Sequence, residues 1–408
     1  MIPFIALPFM TRWLGPADFG RTGTFAAMVN VAVLLVGLST HAQISAAYYR
    51  DGAGSLPSRV GASVGIVVTG SVLLLIVITA NAQRIAALSG LPATWLWTVV
   101  ATACGQFLVM TTLVVWQTRR QAWQFGATQV GYTLIWTALA VLLVRNANLG
   151  WTGRALGQAL GVCMAAVICL VVLHRHGDIA WNPRTWPLRS ALAFGIPVLP
   201  HSLGWVAMST VDRFALAGFD AITAGYYFAA FQVASILTLG AAAVNQAWIP
   251  WLYARLARDD ASARREVVIA TTAIYGLLLG AGLVVGLTAE PVLGYVGGPE
   301  FAPAAMPLRY LAPAAAFIGM YYFASGYFFY SGRTGLLSTI TVGMACVQTA
   351  LTFALAARYG MQGVAIATLA SAVVYWSVVA LVANHLSPMP WFGSGMPAGR
   401  TAYGEGVR

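Results

Sequence analysis

Long apolar runs, each about as long as a bilayer-crossing helix, repeat along this chain with short polar breaks between them; residues 60–80, 95–115 and 267–289 are three examples. A helix needs about 20 such residues to cross the hydrocarbon core. A membrane barrel would instead alternate polar and apolar positions over about 10 residues, and the chain shows no such alternation. In lipid the backbone must satisfy its own hydrogen bonds, so helices are the expected elements. The breaks predict spans at 2–13, 22–42, 60–80, 95–116, 125–144, 152–173, 192–212, 221–247, 267–289, 307–330, 335–356 and 364–384, which makes 12. Residues 2–13 would rise only about 20 Å as a helix against a core of about 30 Å, and Pro3 and Pro8 interrupt them. The first helix is therefore expected to be truncated, with the native start upstream or the half-helix supported by its neighbours.

Composition agrees with the pattern. Hydrophobic residues make up 59% of the 408 and charged ones 8%, against about 25% charged in a soluble domain. So few charges cannot cover a water-facing surface. The fold expected is an all-α polytopic membrane protein of about 12 helices. No loop is long enough for a soluble domain. Residues 1–177 and 190–386 are the expected lobes, 178–189 a basic cytoplasmic connector and 387–408 a disordered tail.

The 22 basic residues are all arginine, and the net charge is +11. In a soluble protein that would suggest nucleic acid. Here arginines retained on one side of the membrane explain it, so nucleic acid is not an expected partner. With the N-terminus cytoplasmic, the inner loops and tail hold 14 arginines and the outer ones 7, which predicts both termini inside. Cys104, Cys163, Cys169 and Cys346 lie in apolar runs without metal-ligand spacing. They read as small core residues, with no disulfide framework, metal or cofactor expected. Close glycine pairs, Gly61/Gly65, Gly157/Gly161, Gly276/Gly280 and Gly282/Gly286, predict tight helix contacts.

Two matches suggest an internal duplication. Gly150-Trp151-Thr152-Gly153-Arg154-Ala155 and Gly360-Met361-Gln362-Gly363-Val364-Ala365 share Gly-x-x-Gly-x-Ala at an offset of 210 residues. Arg12, Gly15, Asp18 and Gly20 are followed in the same order by Arg213, Gly218, Asp220 and Gly225. Six helices per copy is an even number, so both copies enter the membrane alike. Transporters built from such parallel repeats bind substrate between the halves.

Three stretches carry a family resemblance. These are Pro8-Phe9-Met10-Thr11-Arg12-Trp13-Leu14-Gly15-Pro16-Ala17-Asp18-Phe19-Gly20; Phe194-Gly195-Ile196-Pro197 with Asp212-Arg213-Phe214 and Gly225-Tyr226-Tyr227; and residues 360–368. Together they resemble the polysaccharide flippases, the O-antigen and exopolysaccharide exporters of the multidrug/oligosaccharidyl-lipid/polysaccharide superfamily. The resemblance implies two six-helix lobes in a V and alternating access. It also implies transport, across a bacterial inner membrane, of an oligosaccharide carried on undecaprenyl diphosphate. Membrane lipids surround such a protein, and polysaccharide polymerase and chain-length machinery are the partners it implies. A monomer is expected, because each half covers the other. The family has a full helix before this first motif, and here that helix is cut short.

A diphosphate crossing a low-dielectric core calls for permanently charged, bidentate arginine. Arg12 and Arg213 stand at matching places in the two copies and are the candidate substrate contacts; alternatively each snorkels or pairs with a nearby acid, Asp18 or Asp220. His201, near mid-depth after Pro197 and Pro200, is a candidate substrate contact, gate or proton relay in a kinked helix; alternatively it is a lone histidine satisfied by a neighbouring carbonyl. Asp212 is the acid closest to a span interior and could couple transport to an ion or cap a helix end. The rings of Tyr321, Tyr322 and Phe323 could line a sugar path or fill a core. No catalytic residue is expected. A drug/cation antiporter of the same superfamily is the first competing reading, but the 11 acids lie mainly in loops or at helix ends. A membrane polymerase or ligase would be expected to carry a long external loop, and a lipid-linked peptidoglycan precursor flippase extra helices.

Overall fold

The computed structural model describes residues 5–258 and 260–391. Among them all regular structure is helical. Five long helices occupy the first half: α1 (Leu7–Gly37), α3 (Leu56–Ala80), α5 (Leu96–Thr118), α6 (Ala122–Arg145) and α7 (Gly150–Arg175). The short helices α2 (Ala42–Asp51) and α4 (Ala82–Ser89) lie between them. The second half holds α8 (Leu188–Ala217), α9 (Ala221–Arg258), α10 (Ala261–Leu287), the short α11 (Ala289–Gly297), α12 (Ala305–Tyr330) and α13 (Thr334–Leu386).

Ten of these helices are long and apolar enough to cross a membrane. Two of the ten are broken. In α1 the chain turns at Gly15 (φ 65°, ψ 171°), and in α13 at Gly360 (φ 54°, ψ −136°). Each broken helix covers two of the expected spans, so ten helices supply twelve apolar segments. The protein is a multi-pass membrane protein. The tail expected to be disordered falls outside the described residues from 392 onward. Within 387–391, Asn384 Oδ1 accepts from Met389 N at 3.1 Å and from Trp391 Nε1 at 2.9 Å.

One duplication signal has a backbone counterpart. Gly150 and Gly360 both take positive φ, 56° and 54°, a region open to glycine at little steric cost. Three residues on, Gly153 and Gly363 pack on the preceding segment. A Cβ on Gly153 would stand 3.0 Å from Leu149 Cβ, and one on Gly363 would stand 3.0 Å from Tyr359 Cβ. Ala155 and Ala365 are both fully buried. The second signal is looser, because Gly15 breaks its helix with positive φ whereas Gly218 has an ordinary φ of −72°.

Three apolar cores organise the bundle. One lies within the first half, from Phe25 to Ile179. One lies within the second half around Tyr321, Phe323, Phe328 and Tyr375. The third joins the halves, taking Leu7, Met10, Leu14 and Phe19 from α1, Tyr227 and Phe228 from α9, and Phe301 from the loop after α11. That shared core marks the end of the bundle where Gly15, Gly150 and Gly360 lie, called here the glycine end. The opposite end carries residues 178–189 and is called the connector end.

The connector is docked. Ala180 N donates to Pro57 O at 2.9 Å, and Trp186 Nε1 donates to Ala180 O at 2.6 Å. The Trp186 ring fills the groove left by Gly61 and Gly65 on α3. This pair thus receives a side chain and not a helix. Gly157 and Gly161 do face the backbone of α6, at Ala140 and Trp136. Nothing lies within 4 Å of a Cβ built on Gly276 or Gly280. Asp178, buried in the connector, is gripped by both Arg119 Nη atoms. Burial pushes its carboxyl up from the usual range, and the Arg119 charge opposes that shift.

Candidate functional site

The halves meet at two seams. At the glycine end α1 crosses α9 through glycines. A Cβ on Gly20 would lie 2.7 Å from Gly225 N and closer still to Ala221 O. One on Gly225 would strike Pro16 O, and one on Gly23 would stand 2.6 Å from the Phe228 ring. Only hydrogen fits at these places, so the two backbones approach as closely as small-residue helix pairs do in lipid. Phe19 of α1 and Phe228 of α9 close the seam, with centroids 5.2 Å apart. Beside it lies an open recess of about 470 Å³ lined by Leu14–Asp18, Ile222, Tyr226 and Glu300.

At the connector end the seam is polar. Ser39 Oγ donates to Ser202 Oγ at 3.3 Å, and Leu38 O abuts Gly195 of α8. Arg59 of α3 is the hub. It gives Nη2 to Asp51 Oδ2 at 2.5 Å, and Nη1 to Gln43 Oε1 and to Ser190 Oγ, each at 3.2 Å. Ser190 belongs to the second half, so this guanidinium bridges the halves.

A separate cavity of about 160 Å³ lies wholly within the second half. Trp205, Ser209, Phe231, Ser235, Gln348 and Thr368 are among its lining residues. Arg213 lies at one side of it, 6% exposed. Its guanidinium donates to Ser209 O, one turn back along α8, and stands 4.0 Å over the Phe231 ring. Asp212 is 2% exposed. Its Oδ1 accepts from Arg213 N at 2.8 Å and lies 3.6 Å from Arg213 Nη1. The Tyr227 hydroxyl faces Asp212 and meets Thr368 Oγ at 3.0 Å. This chain of polar groups ties α8, α9 and α13 together beneath the cavity.

The sequence-derived candidates separate in space. Arg213 and Asp212 are neighbours inside the second half. Arg12 is exposed at the glycine end, where its Nη2 donates to Tyr295 O of α11 at 3.0 Å. Neither arginine takes the acid considered for it. Asp18 pairs with Arg21 at 3.2 Å and accepts from Trp151 N at 3.1 Å. Asp220 accepts from Thr223 N at 2.7 Å at the start of α9. His201 is half-buried with no partner on Nδ1, beside the seam residue Ser202. Pro197 and Pro200 lie inside α8, which stays one helix through both. Tyr321 stacks on Tyr375 at 4.5 Å in the second core, so that ring packs among aromatics. The four cysteines are free.

Sequence reading missed Arg154 and Arg59. Arg154 stood inside the first duplication motif, but its counterpart at offset 210 is Val364, so searching for matched arginines passed over it. Arg59 entered only as a charge for orientation.

Known proteins share this architecture and sequence. A family model described as polysaccharide biosynthesis protein matches residues 1–255. The chain belongs to that family. Protein 1 of the Lsg locus of Haemophilus influenzae is 22% identical over 355 residues, 84% of each chain. Among solved structures, the Lipid II flippase MurJ in an inward closed conformation superposes with a TM-score of 0.74 at 12% identity, over 94% of this chain and 87% of that one. An inward-facing multidrug resistance MATE family transporter of the MOP superfamily gives 0.76 at 14% identity, over 93% and 95%. At those identities the likeness is one of fold. The chain is thus a polysaccharide biosynthesis protein by family, with the fold of these two membrane transport proteins.

Proposed function

We propose that this protein flips an undecaprenyl-diphosphate-linked oligosaccharide across the bacterial inner membrane by alternating access, supplying cell-surface polysaccharide assembly such as O-antigen or exopolysaccharide. The observation that carries this reading is the pair of seams. The halves touch by glycine and ring packing at one end and by a few hydrogen bonds at the other, so each end can part in turn. The connector end, with its arginines, faces the cytoplasm together with both termini. The glycine end faces outward and passes the product to polymerase and chain-length machinery. The protein acts as a monomer.

Size supports passage between the halves. The cavity of about 160 Å³ falls short of the roughly 300–1,000 Å³ of ordinary small-molecule pockets. It holds neither an oligosaccharide nor a typical drug, which weighs against the drug-antiporter reading. In this proposal Arg213 and His201 meet the substrate as the halves part, and Arg12 meets it at the outer mouth. Asp212 and its Tyr227–Thr368 chain sense the movement, and α8, with Pro197 and Pro200, is the bending element.

Depleting the protein and analysing the lipid-linked sugars tests this. Finished lipid-linked units should build up on the cytoplasmic face. Build-up of single units on the outer face would instead mark a polymerase and refute the flippase reading.

A further inference from the structure

Phe19 and Phe228 do more than close the glycine-end seam, because each carries a guanidinium. Arg154 of α7 lies 5.3 Å from the Phe19 centroid. Arg213 of α8 lies 5.3 Å from the Phe228 centroid, with Phe231 at 4.0 Å. The two phenyl rings are 5.2 Å apart. The series Arg154, Phe19, Phe228, Arg213, Phe231 thus runs without a break from one half into the other.

Both guanidinium groups have unspent donors. Nη1 of Arg154 and Nε of Arg213 are shut off from solvent and have no acceptor. Among the described residues no carboxylate pairs with Arg154, and Arg213 has Asp212 only at 3.6 Å. Burying a cation without a bonded counter-charge is strongly unfavourable, and a ring face offsets only part of it. Two such cations at one seam, from opposite halves, are groups with donors to spare for an anion.

We propose that Arg154 and Arg213 form a paired-guanidinium site for a diphosphate, covered by the Phe19–Phe228 contact in this conformation and uncovered when the glycine-end seam parts. The proposal rests on the flippase reading and adds Arg154 to it. A guanidinium fork matches two phosphate oxygens, and a diphosphate offers one phosphoryl group to each arginine. Before the seam opens the ring faces hold the two cations; afterwards the diphosphate does. Parting the rings and binding the anion are then linked steps, since a ligand shifts a conformational equilibrium by its differential affinity for the two states.

The test uses the purified full chain in detergent, with farnesyl diphosphate as probe and farnesol and inorganic pyrophosphate as comparison ligands. Affinity is read by calorimetry, and the fold by the unliganded melting midpoint. Farnesyl diphosphate should bind the wild type. Arg154→Gln and Arg213→Gln should each weaken it tenfold or more, and the Lys variants should weaken it less. Phe19→Leu, which loosens the cover without removing a cation, should tighten binding. That variant keeps the idea testable if the glutamine variants fail to fold, and unchanged or weaker binding by it overturns the site. Binding that ignores Arg154 while the variant stays folded overturns this site and leaves the flippase reading standing. No binding of farnesyl diphosphate to the wild type overturns both.

Discussion

Arg213 shows what a single residue contributes here. Its cation is almost wholly buried, bonded to Ser209 O and stacked on Phe231. Removing one partner from a buried charged cluster destabilises by about 3–5 kcal/mol when the other charge is stranded. Asp212 keeps the backbone amide of residue 213 as a donor when the guanidinium is removed. Arg213→Gln should therefore fold, lower the melting midpoint by several degrees and abolish polysaccharide export. Arg12→Gln should reduce export only mildly, because Arg12 is exposed and holds one carbonyl. Equal losses from the two variants, measured as surface polysaccharide at matched membrane protein levels, would contradict these separate placements. The sequence made the two arginines look equivalent, since order and spacing do not show which way a helix face turns. Arg154 was invisible for the converse reason: its importance comes from Phe19, on a helix far away in the chain.

At the scale of elements, the apolar runs were legible because lipid imposes one rule on every span. The expected boundaries fell close to α3, α5, α6, α7 and α12. Two features were not legible. Hydropathy cannot see a backbone turn inside an apolar stretch, so the breaks at Gly15 and Gly360 needed the structure. Nor can a glycine pair announce its occupant, as Trp186 on Gly61 and Gly65 shows. The glycine crossing of α1 and α9 gives a direct test. Gly225→Val adds a side chain where a lone Cβ already strikes Pro16 O, and overpacking of this kind typically destabilises by about 1–3 kcal/mol. The strain is relieved by parting the glycine-end seam. The variant should fold and label more readily from outside at a cysteine placed at position 19 or 228, in a chain freed of its own four cysteines. Unchanged labelling would show that the seam does not move.

For the whole molecule, the all-helical, many-span architecture was legible in the sequence, while the polar seam was not. Arg59 and Ser190 stand just outside the expected spans, and Ser39 and Ser202 are single hydroxyls within them, so hydropathy does not pair them. Cysteines at 39 and 202 would replace hydroxyls 3.3 Å apart. In the cysteine-free chain, Ser39→Cys with Ser202→Cys should cross-link on mild oxidation and stop export, and reductant should restore it. Export that persists with the bond formed would mean the halves need not part there.

The two seams also differ in what their opening exposes to water. Serine and arginine contacts at the connector end contribute about 1 kcal/mol each and are readily replaced by solvent. Separating Phe19 from Phe228 instead wets apolar surface, at about 25 cal/mol for each Å², and strips two cations of their ring faces with nothing in exchange. On the proposed flippase reading, an empty carrier therefore parts its connector-end seam more easily than its glycine end, and negatively charged cargo offsets the cost of parting the latter.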